Sequence, residues 1–465
     1  MGKYTVYGGE IDDFIERDYL QKIVSSFLKD VEEMNNKLIS VILFGGFGKG
    51  EGSVQLINNK LFPYNDFDFY IITEEKISDK ELNRISMNAS KEIGMGGLEI
   101  AFFPEQEYDS RKFFHIDVRC IPYNRLSKLM KTQRYYELKY GSRVIYGDKA
   151  VLHEIKEINP EEIPLSEGLR NLFNKLHTML LGLRKEYNED QRKIKIFWSF
   201  KVYLSCCEAL LILSGKFKPT SLERSKLFSE IYKISFPELY ELIPNLHKKV
   251  NIATNFKLKP YFNVNHEKLW NTALNDLLTV FESYIKKMTK SDNIEYSINK
   301  KLPYFYFSPY LKHISGANIF PVQYLLNLGY FNILRKNEGV YFKPLFNWKD
   351  VGLRMILPVY YLLKAYQEIK QENTQEISKH QVNQTINHKL NKEIIRANLN
   401  SHNLKSINSV NSNNSDNKNL IINPGYVDKA YNELKKFIKL DKNEFWYLRD
   451  RALKSFGLYY QQRLL

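Results

Sequence analysis

Cysteine is nearly absent: 465 residues contain three, Cys120, Cys206 and Cys207. The last two are adjacent on an expected helix and point in different directions, so they make poor disulfide partners. Without a Cys-x-x-Cys pairing either, the chain is neither a disulfide scaffold nor a zinc-ribbon protein, and a reducing, cytoplasmic setting is expected. No apolar run approaches the roughly 18–20 residues of a membrane span. Met1-Gly2-Lys3-Tyr4-Thr5-Val6 lacks the apolar core of a signal peptide, and Val6 stands where a myristoylation site wants Ser or Thr. No membrane partner is expected. Acidic residues are in deficit, 53 against 68 Lys and Arg, leaving a net charge of +15. That excess suits a polyanion, but it forms no compact basic block. AT-rich coding also enriches Lys, Asn, Ile, Tyr and Phe without selection for RNA, so charge alone does not assign nucleic-acid binding.

Apolar residues make up 43% of the chain and aromatics 14%, enough for roughly two or three cores at this length. Periodicity predicts an amphipathic helix from about Asp12 to Asn35, a strand over Ile39–Phe44, a strand over Phe67–Thr73 and a Ser78-capped helix to Ile93. Strands at Leu98–Phe103 and Phe113–Ile121 complete a small mixed sheet. Helices are then expected at Leu126–Leu138, Ser166–Lys185, Ile194–Ser214, Ser221–Ile234, His266–Met288 and Leu353–Ile369. A short extended segment at Gly141–Asp148 precedes most of these. The fold class is α+β: a sheet domain over 1–148, a helical domain over 149–290 and an aromatic-rich region over 291–370. A low-complexity, Asn/Ser/Lys/Gln-rich insertion over 371–421 buries too little apolar surface to order itself. C-terminal helices follow over 422–465.

Two stretches carry the chemistry. Val41-Ile42-Leu43-Phe44 stops at Gly45-Gly46-Phe47-Gly48-Lys49-Gly50-Glu51, and Asn65-Asp66-Phe67-Asp68-Phe69-Tyr70 opens a second apolar run with two aspartates one residue apart. Alternate side chains of a strand share a face, so Asp66 and Asp68 point together while Phe67 and Phe69 enter a core. Side-by-side carboxylates repel, and a divalent cation between them is one remedy. Glycines at the end of the preceding strand leave bare backbone N–H groups where an anion can sit. A metal pair beside a phosphate cradle is equipment for phosphoryl or nucleotidyl transfer. An Asn65-Asp66 turn accounts for one aspartate, but not for a second at the next same-face position.

A two-metal site needs a third carboxylate from a neighbouring strand. Alternation over 113–119 puts Phe114, Ile116 and Val118 on the core face and His115, Asp117 and Arg119 on the other. Asp117 is therefore the candidate, ahead of Asp109 in its polar turn. Lys49 is a candidate phosphate contact, and Glu51 a partner for Lys49 or Arg119. His177, His247 and His380 lack ligand-like spacing, and Tyr304-Phe305-Tyr306 suits packing better than base stacking.

The succession of apolar strand, Gly45-Gly46, Asp66-Phe67-Asp68 and Asp117 resembles the DNA polymerase β-type nucleotidyltransferase superfamily over roughly residues 35–148. The form Gly45–Glu51 is most similar to the branch containing bacterial protein uridylyltransferases, where Gly-Gly-aromatic-Gly-Arg-Gly-Glu is usual. The resemblance implies that Asp66, Asp68 and Asp117 bind two Mg²⁺ ions, and that Gly45 and Gly46 hold the phosphates of a nucleoside triphosphate. It also implies that Lys201, on a later helix, reaches the triphosphate. Two departures stand out: Gly46 replaces the serine of many members, and the loop to Asp66 is long enough to form a flap. The expected activity is Mg²⁺-dependent transfer of a nucleoside monophosphate to a hydroxyl acceptor with release of pyrophosphate. The alternatives are a catalytically silent nucleotide-binding scaffold of the same fold and an RNA (tRNA)-directed nucleotidyltransferase. The acceptor (protein, small molecule or RNA) and the preferred base stay open.

Overall fold

The computed structural model describes residues 2–57, 60–64, 66–94, 116–184, 187–302, 355–367, 423–436 and 440–453. The expected strand at Leu98–Phe103, the residues His115, Asp109 and Tyr304–Tyr306, and the insertion over 371–421 lie outside them.

The chain opens with helices α1 (Gly9–Ile15) and α2 (Gln21–Glu33), separated by a π-helical turn at Glu16–Leu20. The single helix expected from Asp12 to Asn35 is thus interrupted, because the wider turn inserts extra backbone into the hydrogen-bond ladder. Ile23, Phe27 and Val31 recur at helical spacing and are buried, which fixes the face that α2 turns to the sheet. The sheet strands are β1 (Leu38–Phe44), β4 (Phe67–Thr73), β5 (Ile116–Pro122) and β6 (Arg143–Gly147), in the order β5-β4-β1-β6. β4 and β5 run parallel, whereas β1 is antiparallel to both β4 and β6. A separate hairpin of β2 (Val54–Ile57) and β3 (Lys60–Pro63) fills much of the long loop between the glycines and Asp66.

Helix α3 is a single turn at Gly45–Gly48, directly after β1. Helix α4 (Asp79–Glu92) begins as expected, with the Ser78 hydroxyl accepting from the Glu81 N–H. One sheet face packs on α2 and α4 through Phe67, Phe69, Ile116 and Val118, with the Phe27 and Phe69 rings edge-to-face at 5.2 Å. The other face carries Ile42, Tyr70, Ile72 and Ile121, covered in part by α5 (Gln133–Gly141). The helix expected over Leu126–Leu138 is divided. A 3₁₀ stretch ends at Lys128, the chain extends, and Thr132 caps α5 by accepting from the Tyr135 N–H.

The remainder is helical: α6 (Leu165–Gly182), α7 (Glu189–Leu213), α8 (Ser221–Ser235), α9 (Pro237–Leu242), α10 (Leu246–Leu258) and α11 (His266–Thr289). Residues 355–367, Pro424–Lys435 and 445–453 pack into the same core. Helix α7 is its axis, touching α6, α8, α10 and α11. Within it, Gln191–Leu213 is apolar and long enough to cross a membrane by composition alone, which corrects the expectation that no run reaches that length. Most of its side chains are buried by neighbouring helices, as in a core helix, with Arg192, Lys193 and Lys201 left exposed.

Candidate active site

The backbone brings the acidic residues together as alternation predicts. In the parallel β4–β5 pair, Asp68 stands opposite Asp117, and Asp66 precedes β4 on the face that Asp68 shares. Their apolar neighbours hold the strands in register: Phe67, Phe69, Ile116 and Val118 are all buried on the opposite face. The three carboxylates lie where β4 and β5 begin.

The glycine turn closes over this point. Phe44, the last residue of β1, pairs with Asp68, so the chain must turn directly above that carboxylate. Gly45 does so with φ +64°, and a Cβ there would lie 2.0 Å from Asp68 Oδ2. Gly48 is equally confined, since its Cβ would meet the Leu43 carbonyl at 2.2 Å. No L side chain fits either place without movement. The turn is tied by the Lys49, Gly50 and Glu51 N–H groups, which donate to the carbonyls of Gly45, Phe47 and Gly46.

Burial, then Asp117, then Asp66 push the Asp68 carboxyl up to about 7, against the pull of Arg134 and Lys49. The site is thus short of positive charge, and its donors are all hard carboxylate oxygens, the set that suits Mg²⁺. Among the described residues, no three His, Cys, Asp or Glu side chains are gathered closely enough to hold an ion in the conformation seen. Asp117 Oδ2 instead accepts from the Arg119 guanidinium at 3.1 Å. The donor chemistry fits the cation, and side-chain rotation about fixed strands is what would close the cluster.

The opposite wall is basic. Lys201 on α7 is exposed, yet protein crowds it from several sides; burial lowers its ammonium while Asp66 and Asp68 support it. Its Nζ lies 4.2 Å from the centre of the Phe197 ring. Lys175 on α6 is pushed down to about 8 by burial and by Lys201. Sequence reading passed over Lys175, and also Arg134, which interacts with the Tyr70 hydroxyl and with Asp117. Neither carries a local signal, because a single lysine or arginine on a helix is ordinarily a solvated face.

Lys49 sits elsewhere. It is buried and paired with Glu137 at 2.9 Å, so a phosphate would have to displace a carboxylate to reach it. Glu137 also accepts from Arg224 at 2.6 Å, and Arg224 reaches Glu208 at 3.1 Å. Glu51 pairs with neither Lys49 nor Arg119, contrary to the expectation above. It faces α8 and α10, where Lys257 lies 2.8 Å away. A buried carboxylate takes whichever cation the tertiary fold supplies, and here the helical wall supplies it.

No protein-family model and no curated protein matches the chain. Among solved structures it is similar to spectinomycin adenyltransferase AAD(9) from Enterococcus faecialis, solved with ATP and spectinomycin. That match has 15% identity and a TM-score of 0.31, covering 55% of this chain and 98% of that one. So loose an overlap bears on neither the family nor the chemistry of this chain.

Proposed function

We propose that this chain is a Mg²⁺-dependent nucleotidyltransferase that moves a nucleoside monophosphate from a nucleoside triphosphate to a hydroxyl acceptor. The observation that carries the reading is the pairing of Asp68 with Asp117 across β4 and β5, beneath a glycine that a side chain would drive into Asp68. A structural role needs no such crowding of like charges, whereas a cation site does.

Asp66, Asp68 and Asp117 would hold the magnesium. Bound there, it would supply charge neutralisation of the triphosphate and leaving pyrophosphate and a lowered pKa for the acceptor hydroxyl. The turn at Gly45 and Gly46 cradles phosphate through backbone amides, with no serine hydroxyl to help. Lys201 and Lys175 face the phosphate tail and offset its charge. Asp117 lies nearest the attacking side and accepts the acceptor's proton. The acceptor oxygen bonds to the α-phosphorus as the bond to the bridging oxygen breaks, and the electron pair leaves with pyrophosphate. Positioning and charge neutralisation carry most of the acceleration.

The test is incubation with each labelled nucleoside triphosphate, Mg²⁺ and a cell extract, beside an Asp66→Ala, Asp68→Ala variant. Label moving onto protein, RNA or a small product from the wild type alone supports the reading and identifies the acceptor class. Equal transfer by the variant removes the site. No transfer, with nucleotide still bound, favours the silent scaffold.

A further inference from the structure

Glu51 closes the glycine turn, yet its side chain leaves the cleft. It is fully buried, at 0% exposure. One carboxylate oxygen, Oε1, accepts from the Leu222 N–H at 2.8 Å. The other, Oε2, accepts from Lys257 Nζ at 2.8 Å, and Lys257 also donates to Ser221 Oγ. Leu222 lies in the first turn of α8, so the carboxylate stands at the positive end of that helix's dipole. Burial by itself would push the Glu51 carboxyl up. Lys257, the Leu222 amide and Arg224 outweigh it and hold it down at about 2. Both oxygens are engaged with protein, so Glu51 has no part in touching substrate. What it joins is informative. The turn above Asp68 is fastened through Glu51 to α8 and α10, and α10 packs on α7, the helix that carries Lys201.

We infer that Glu51 is a positioning residue: it clamps the glycine turn to the helical wall and so sets the spacing between the turn and Lys201 on which nucleotide affinity depends. The inference rests on the nucleotidyltransferase reading. A clamp of this kind acts equally on bound substrate and transition state, because both carry the same phosphates between turn and lysines. Its loss therefore appears in KM and not in kcat.

The test compares wild type, Glu51→Gln, Lys257→Met and the double variant, with steady-state kinetics and equilibrium binding of a non-hydrolysable nucleotide. Gln keeps the volume and can accept from the Leu222 N–H, but it leaves Lys257 without its countercharge. The inference expects KM and the nucleotide dissociation constant of Glu51→Gln to rise together by about tenfold with kcat within about threefold. The double variant lacks the same clamp but leaves no orphaned charge, so it should keep the raised KM while recovering most of any lost stability. A fall in kcat as large as the rise in KM overturns the inference, and so does a lowered melting temperature with unchanged KM, which marks a merely structural pair. Should Glu51→Gln fail to fold, Lys257→Met carries the same comparison, since Glu51 keeps its bond to Leu222. A wild type that binds no nucleotide defeats the functional reading itself. A wild type that binds and transfers while Glu51→Gln matches it defeats only the clamp.

Discussion

Lys49 and Glu51, at the joint between sheet and helical wall, and Asp66 and Asp68, in the cleft, lie close together in sequence and meet opposite electrostatic conditions. At the joint every buried charge has its countercharge: Lys49 with Glu137, Glu137 with Arg224, Glu51 with Lys257. In the cleft like charges are stacked on one side, with the Asp68 carboxyl pushed up to about 7 by burial and its acidic neighbours. A fold that can neutralise its buried charges at the joint leaves them unbalanced in the cleft, and on the proposed reading a bound cation supplies the missing charge. Charge compensation thus separates residues that hold the molecule together from residues that wait for something.

The contrast is sharpest if each side is broken in turn. The largest effect should come from the joint: Glu137→Ala strands Lys49 as a buried cation, leaves Arg224 with Glu208 alone, and should cost about 3–5 kcal/mol in urea unfolding. Asp68→Asn should do the reverse. Transfer activity should fall by about 10²–10³-fold, while the melting temperature holds or rises because a repelled charge has gone. On the proposed reading, a magnesium ion held at Asp68 would have to displace the proton that this carboxyl retains up to about 7. Binding followed by calorimetry should therefore strengthen as pH rises toward 7 and level off above it.

Glu51 supplies the pH signature of the joint. Its carboxyl is lowered from an ordinary 4.5 to about 2, so below 4.5 the unfolded chain takes up a proton that the folded one refuses. The stability is complete above pH 4.5 and is lost as pH falls toward 2, a change of about 3 kcal/mol. Acid titration of Glu51→Gln should show that part of the slope removed. Smallest is Gly45→Ala, where positive φ and the nearness of Asp68 should cost about 1–2 kcal/mol in a thermal melt, with nucleotide binding weakened alongside.

What the sequence discloses follows the range of each interaction. Alternation is local, so the faces of Phe67, Asp68, Phe69 and Asp117 and the Ser78 cap were legible. The joint was not, because the partners of Lys49 and Glu51 lie far along the chain at Glu137 and Lys257 and are chosen by packing. Helix α10 escaped notice for a related reason. It packs against both α7 and α8, so its buried residues, among them Phe256, Thr254 and Leu258, widen the one-sided stripe that betrays a surface helix. The division before α5 turned on one threonine, Thr132, whose cap bond interrupts an otherwise continuous apolar rhythm.

Helix α7 has a consequence for how the chain is made. The ribosome finishes it before α8, α10 and α11, three of the helices that enclose it. In that interval an apolar rod lies bare, and the machinery that sorts nascent chains responds to apolar length. Prompt docking of the later helices would shield it, and a pause in translation after α7 has left the ribosomal tunnel, but before they emerge, would expose the nascent chain to aggregation.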